Sequence, residues 1–172
     1  VLQSVKVIDE QGKLTELSRD EIKAGYDESR FHHTNEIIVS ATFQLYKGDA
    51  EKAKQVAIEW SKRKAIQPSK SLGCVYKNIS HQDKERLNYP TTSVGYIVEH
   101  VLGLKGYRQG DAQIAPEHCA FIVNKGSATA SDYLDIIRKV IMAIKEKTDV
   151  RVYPEIFFLG FEKEELEGVV YN

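Results

Sequence analysis

The 172 residues, 42% of them hydrophobic, suffice to bury one full-sized core or two small ones. With 24 Lys and Arg against 25 Asp and Glu, the chain has no overall attraction for a nucleic-acid backbone or an anionic membrane, and an anionic ligand must be caught by a local patch. No apolar run approaches the roughly 20 residues that cross a bilayer and no charged leader opens the sequence, so the expectation is a soluble cytoplasmic protein with no nucleic-acid or membrane partner.

Ser4 to Asp9 alternate like a half-buried strand, and Glu10-Gln11-Gly12 turns the chain into a partner strand around Leu14. Residues 36–46 are rich in β-formers on both faces, which predicts a strand inside a sheet. Asp49 caps a predicted helix whose Ala53, Val56, Ala57 and Trp60 form a stripe expected to lie on a core. Pro68, among small polar residues, marks the expected domain junction.

Beyond it, Thr92 or Ser93 opens a short helix with Val94, Ile97, Val98, Val101 and Leu102 on one side, stopped near Gly103. Residues 119–123 read as a strand. From Thr129, with Asp132 completing a capping box, a longer helix is expected to bury Tyr133, Ile136, Ile137, Val140, Ile141 and Ile144. A last strand is predicted over 156–159, and the run from Glu162 to Glu167 reads as a solvated or frayed end. Strands and helices mix without a βαβ rhythm, and the class is α+β.

Cys74 and Cys119 belong to no CxxC or Cys/His pattern, which leaves reduced thiols and no structural metal. Cys119 opens an apolar strand and is read as core. The adjacent His32 and His33 point to opposite faces of an extended segment and cannot easily share a metal, so they are assigned to a loop without chemistry.

Four segments carry a resemblance: Gly25-Tyr26-Asp27-Glu28-Ser29-Arg30-Phe31, Gly73-Cys74-Val75-Tyr76-Lys77-Asn78, Gly103-Leu104-Lys105-Gly106-Tyr107-Arg108 running on to His118 and Asn124-Lys125-Gly126, and Pro154-Glu155. In order and spacing the chain resembles the C-terminal portion of the flavin-dependent MurB reductases. These enzymes use FAD and NADPH to reduce the enolpyruvyl ether of UDP-N-acetylglucosamine enolpyruvate to UDP-N-acetylmuramate in peptidoglycan synthesis. The resemblance implies that residues 1–67 end an FAD-binding region, that 69–160 form the substrate-binding domain, and that 161–172 are a charged tail. The glycine-rich segments that wrap FAD in the family would lie upstream of Val1, so this chain is expected to retain no cofactor by itself, and a missing N-terminal FAD-binding half is the implied partner.

Reduction of an enol ether bearing a carboxylate leaves an enolate that must be stabilised and then protonated on carbon. The resemblance gives the proton donor's position to Cys74, and a thiol is a better proton source than an alcohol. By itself Cys74 reads as a small buried hydrophobe beside a glycine turn. Glu155 matches the family glutamate that helps protonate or polarise the intermediate; without the resemblance it would be an ordinary surface charge.

Where the family usually has Arg after the tyrosine, this chain has Asp27, which reverses the charge meant to balance the substrate carboxylate. Either Arg30 or another cation takes over, or Asp27 is protonated or turned away, or catalysis is weak. Lys77 and Asn78 match residues near the UDP diphosphate, and Tyr26, Tyr107, Arg108 and His118 are substrate-binding candidates by position. His118 reads alternatively as structural, and Asn124-Lys125-Gly126 equally as ligand contact or as a turn. Beside the reductase reading stand a non-catalytic UDP-sugar-binding module and an inactive fragment lacking FAD, the latter favoured by a start at Val1 without methionine.

Overall fold

The structure, a computed structural model, describes residues 1–26, 28–65 and 67–170. The chain divides into two compact units, Val1–Glu59 and Trp60–Asn172.

In the first unit β1 (Leu2–Ile8) and β2 (Leu14–Ser18) form the predicted hairpin, with Val5 opposite Leu17 and Val7 opposite Thr15. The Asp9 carboxylate accepts the N–H groups of Gln11 and Lys13 at 3.0 and 2.8 Å, and Gly12 takes the positive φ of +77° that closes the turn. At the end of β2 the Glu21 carboxylate accepts from the backbone N–H and the hydroxyl of Ser18, at 2.9 and 2.7 Å, and starts the single turn α1 (Arg19–Ile22). Val5, Val7, Leu17 and Ile22 make a small core against which Leu2 and Phe31 pack.

β3 (Ile37–Phe43) pairs antiparallel with the other side of β1, giving the order β2-β1-β3. The strand is where the pattern predicts it, but it lies at the sheet edge rather than inside, and all seven of its residues are exposed. A similar correction applies to α2 (Ala50–Lys64): Asp49 caps it, accepting the Lys52 N–H at 3.0 Å, yet no residue of the helix is buried. Its apolar stripe is present, and among the described residues no element covers it.

The second unit is a four-stranded antiparallel sheet in the order β4-β7-β6-β5, formed by β4 (Ser71–Cys74), β5 (Arg108–Gln109), β6 (Ala112–Ile114) and β7 (Phe121–Asn124). The short helix α3 (His81–Arg86) is capped by Ser80, whose Oγ accepts the Asp83 N–H at 3.0 Å. The helix predicted from Thr92 or Ser93 begins as α4 (Val94–Tyr96) and widens at once into a π-helical turn, Ile97–Val101.

The long helix α5 (Ala130–Thr148) packs against β5 and β6. Its capping box has the predicted members: Asp132 N–H to Thr129 Oγ1 at 3.1 Å, and Thr129 N–H to Asp132 Oδ2 at 2.8 Å. Leu134, Ile136, Ile137, Val140, Ile141 and Ile144 face the core, while Tyr133 is half-buried. Cys119 lies in this main core with Val75, Ile97, Val98, Ile114 and Ile122.

Two expectations for the C-terminal stretch are corrected. Among the described residues, 156–159 form no strand ladder; this stretch meets the sheet edge through the bridge between Pro154 and Tyr76, and Pro154 has no N–H with which to extend a ladder. Ile156 and Phe158 pack on the core, whereas Phe157 and Leu159 are exposed. The charged tail is not simply solvated: its acidic side chains are exposed around a short turn, Glu164–Leu166, while Leu166 and Val169 are buried in the main core. The Arg138 guanidinium ties the turn down by donating to the Glu165 carbonyl at 2.7 Å.

Candidate functional site

β4 ends at Cys74, directly after Gly73, whose φ of +89° suits glycine. Cys74 stands opposite Phe121 of β7 and packs, half-buried, against Ala115, Ala120, Phe121 and Val123. On the outer side of the same segment the chain returns from α5. Lys77 donates its N–H to the Tyr153 carbonyl and Glu155 donates its N–H to the Val75 carbonyl, each at 2.8 Å.

This pairing brings Glu155 beside Cys74 although the two are far apart in sequence. Burial first, and the Glu155 carboxylate second, push the Cys74 thiol above its ordinary value, with the Lys64 ammonium pulling the other way. The group is therefore held as a neutral thiol, able to donate a proton. Tyr76, two residues beyond Cys74, turns inward; its phenol is buried without a hydrogen-bond partner among the described residues, and burial pushes it far above its usual range.

Lys77 is half-buried and Asn78 exposed, both on the segment that leaves β4. Tyr107 and Arg108 stand at the opposite edge of the sheet, at the start of β5, three strand spacings or roughly 14 Å from β4. The Tyr107 ring carries the Lys139 ammonium 4.9 Å from its centroid, and Arg108 reaches Asp111 at 3.7 Å.

His118 is engaged in a turn. Its Nδ1 is 3.4 Å from the Ala120 N–H and its ring meets Phe121 edge-on at 4.6 Å. Asn124 likewise serves its turn, its side-chain oxygen accepting the N–H groups of Gly126 and Ala128 at 2.9 and 3.2 Å.

In the first unit Tyr26 is exposed and Asp27 lies outside the described residues. Arg30, the candidate replacement cation, is already engaged: its Nε and Nη2 donate to the two Glu36 carboxylate oxygens at 3.0 and 2.9 Å, and its Nη1 donates to the Glu21 carbonyl at 3.3 Å. His33 pairs with Glu28 at 2.6 Å and the His32 ring contacts Ser29. Among the described residues no three His, Cys, Asp or Glu side chains converge as a metal site.

Sequence reasoning missed Lys139 and Lys64. Both look like ordinary solvated helix lysines, and only the folded chain sets one over Tyr107 and the other within electrostatic range of Cys74.

Residues 66–159 match the family described as "UDP-N-acetylenolpyruvoylglucosamine reductase, C-terminal domain". The chain belongs to this family. It is 37% identical over 171 residues to the UDP-N-acetylenolpyruvoylglucosamine reductase of Lactobacillus gasseri, covering 95% of this chain and 52% of the relative. The Chlamydia abortus reductase is 33% identical, covering 90% of this chain and 50% of the relative. Among solved structures, the UDP-N-acetylenolpyruvylglucosamine reductase (MurB) of Thermus caldophilus superposes with a TM-score of 0.72 at 30% identity, covering 91% of this chain and 52% of that one. The chain thus spans about half the length of the curated relatives it matches, and its α+β architecture is that of the MurB C-terminal portion. Among the described residues no helix is long and apolar enough to cross a membrane.

Proposed function

We propose that this chain is the substrate-binding and proton-donating part of a cytoplasmic, FAD- and NADPH-dependent reductase that converts UDP-N-acetylglucosamine enolpyruvate to UDP-N-acetylmuramate. The observation that carries this reading is the adjacency of Cys74 and Glu155 across the Val75 to Glu155 backbone bond. Reducing the enolpyruvyl double bond leaves electron density on the substrate carboxylate, and the neighbouring carbon must then take a proton. Cys74, kept protonated by burial and by the Glu155 carboxylate, donates that proton, and the thiolate left behind takes one back from solvent, a return that the neighbouring carboxylate charge favours. Lys77 and Asn78 bind diphosphate oxygens, and Tyr107 and Arg108 contact the substrate's far end, a separation that an extended nucleotide sugar can span.

The described residues do not by themselves suit a flavin. A groove of the first unit, about 710 Å³, is lined by Glu16 and Glu21 against Arg19, and two carboxylates work against an FAD diphosphate. The larger share of flavin binding is therefore assigned to the part of the reductase that this chain does not span, with residues 1–67 closing the FAD-binding region and 69–160 forming the substrate portion. FAD supplies hydride chemistry in the family; the residues here bind the substrate, position it and move a proton.

A second reading, a UDP-sugar-binding module without turnover, is favoured by one observation. Asp27 stands where the family usually has Arg, and Arg30 is already held by Glu36. Calorimetric titration of the chain with UDP-N-acetylglucosamine serves both readings: binding is expected and should weaken in Lys77→Ala. Equal affinity in the variant would remove Lys77 from the phosphate site, and no binding at all would sink both.

A further inference from the structure

A polar cleft of about 330 Å³ lies where β4 begins and β7 ends, lined by Ser69, Lys70, Glu117, Val123, Asn124 and Lys125. Two lysines against one carboxylate leave it with an excess of positive charge. Elsewhere in the second unit Lys105, Arg108, Arg138 and Lys145 each meet a carboxylate. Among the described residues neither the Lys70 nor the Lys125 ammonium has such a partner. Lys70 also holds a backbone conformation that side chains disfavour: its φ is +55°, and its carbonyl accepts the Asn124 N–H at 3.1 Å. Glycine or asparagine would serve that turn better, so the needs of the turn do not account for the lysine.

The cleft adjoins the surroundings of the thiol. Val123 lines it and also belongs to the cluster against which Cys74 packs, and Lys70 precedes Cys74 by four residues, roughly 13 Å along an extended strand. Lys77 and Asn78, which bind the sugar nucleotide's diphosphate in the proposed function, leave β4 at its other end. An anion held between Lys70 and Lys125 therefore belongs to a different molecule, one that must also reach the neighbourhood of Cys74. In the proposed reaction that molecule is the nicotinamide dinucleotide.

We propose that this cleft is a phosphomonoester subsite that takes the 2′-phosphate of NADPH and makes the reductase prefer NADPH to NADH. This rests on the reading of the chain as part of an NADPH-dependent reductase, but not on proton donation by Cys74. A phosphomonoester carries roughly −1.5 to −2 charge near neutral pH and three acceptor oxygens, which suits two ammonium groups and the Ser69 hydroxyl. NADH presents a neutral 2′-hydroxyl at the same place and gains little from the lysines. The Glu117 carboxylate works against the phosphate, and the two cations outweigh it.

Calorimetric titration of the chain with 2′,5′-ADP and with 5′-AMP isolates the 2′-phosphate, because the two ligands differ in that group alone. At low salt 2′,5′-ADP should bind at least about tenfold more tightly. Lys70→Ala with Lys125→Ala should bring the two affinities together, whereas Glu117→Gln should widen the gap. All three side chains are exposed, and effects of opposite sign do not come from lost folding. In the assembled reductase the same double variant should bring kcat/KM for NADPH down toward that for NADH. Equal or absent binding of the two ligands to the unmodified chain, or a preference that survives in the double variant, would overturn the proposal. So would inorganic phosphate binding as tightly as 2′,5′-ADP, which would mark a site for free phosphate. Lys77→Ala should leave the preference unchanged. A chain that keeps the preference but does not bind UDP-N-acetylglucosamine would support the subsite and count against the sugar-nucleotide reading alone.

Discussion

The Glu155 carboxylate lies close enough to Cys74 to hold its thiol above the ordinary thiol range, in addition to the effect of burial. The donor form is therefore complete below the raised value and lost as pH rises through it. In the assembled reductase kcat/KM should fall on the alkaline side with that titration. Glu155→Gln removes the carboxylate's share and should move the fall to lower pH, although burial keeps it above an exposed thiol. On the chain alone, the pH dependence of Cys74 alkylation by iodoacetamide should shift in the same direction. A Glu155→Gln profile superposable on the unmodified one would mean that the carboxylate does not act on Cys74.

If Cys74 delivers the proton, the two half-reactions should separate. Cys74→Ala is expected to leave reduction of the enzyme by NADPH nearly intact, since that step uses no substrate-side acid. Substrate-dependent reoxidation should slow by about 10² to 10⁴-fold. Cys74→Ser, which keeps a donor, should retain activity. A thiol that merely fills space among Ala115, Ala120, Phe121 and Val123 would instead cost some stability in Cys74→Ala and change both steps little. Stopped-flow reoxidation at the unmodified speed would return Cys74 to that structural role.

Local signals in the sequence were read well where the partner was also local. The Asp9 turn, the Thr129–Asp132 capping box and the buried stripe of α5 follow from short-range chemistry and appear as expected. What failed was long-range. Nothing in residues 36–46 says whether a neighbouring strand exists on each side, so an apolar edge strand and an interior strand look alike. The tail's acidic run concealed Leu166, because one apolar residue among charges carries no periodicity, and Val169 lies just beyond the run. For the site, periodicity singles out neither Cys74 nor Glu155. Motif resemblance named both, and only the pairing of Val75 with Glu155 explains why one acts on the other.

The Arg30–Glu36 pair bears on the reversed charge at position 27. Its fork geometry and partial burial, with Thr34 donating to the same carboxylate at 2.9 Å, make it a structural tie of the first unit. Glu36→Gln should lower that unit's stability by about 1 to 3 kcal/mol, the usual range for charge-assisted hydrogen bonds. Asp27→Arg, in contrast, should raise turnover of the assembled reductase by restoring the guanidinium that the proposed chemistry sets against the enolate, with little change in substrate affinity. Steady-state kinetics of Asp27→Arg check this. Unaltered kcat would show that another cation already fills the role, and would remove the main support for the non-catalytic reading.

Gly95 offers a test of how the fold holds the site. It is buried in α4, and a Cβ there would stand 3.0 Å from the Ala120 backbone nitrogen and 3.2 Å from its Cβ. Neither atom is the end of a flexible side chain, so Gly95→Ala must push α4 and the start of β7 apart, at a cost of about 1 to 3 kcal/mol. The displacement would not stay local. The Ala120 carbonyl accepts the Val75 N–H at 2.9 Å, and the Val75 carbonyl accepts from Glu155, so a shift at Ala120 is passed to both neighbours of the thiol. Gly95→Ala should therefore lower the urea midpoint of the second unit, followed by the circular dichroism of α5, and move the Cys74 alkylation profile toward that of an ordinary thiol. Gly48→Ala is the control: its Cβ meets nothing within 4 Å, and both measurements should be unchanged. A lowered midpoint with an unmoved alkylation profile would separate stability from the site, and would mean that the Cys74–Glu155 geometry does not depend on Ala120.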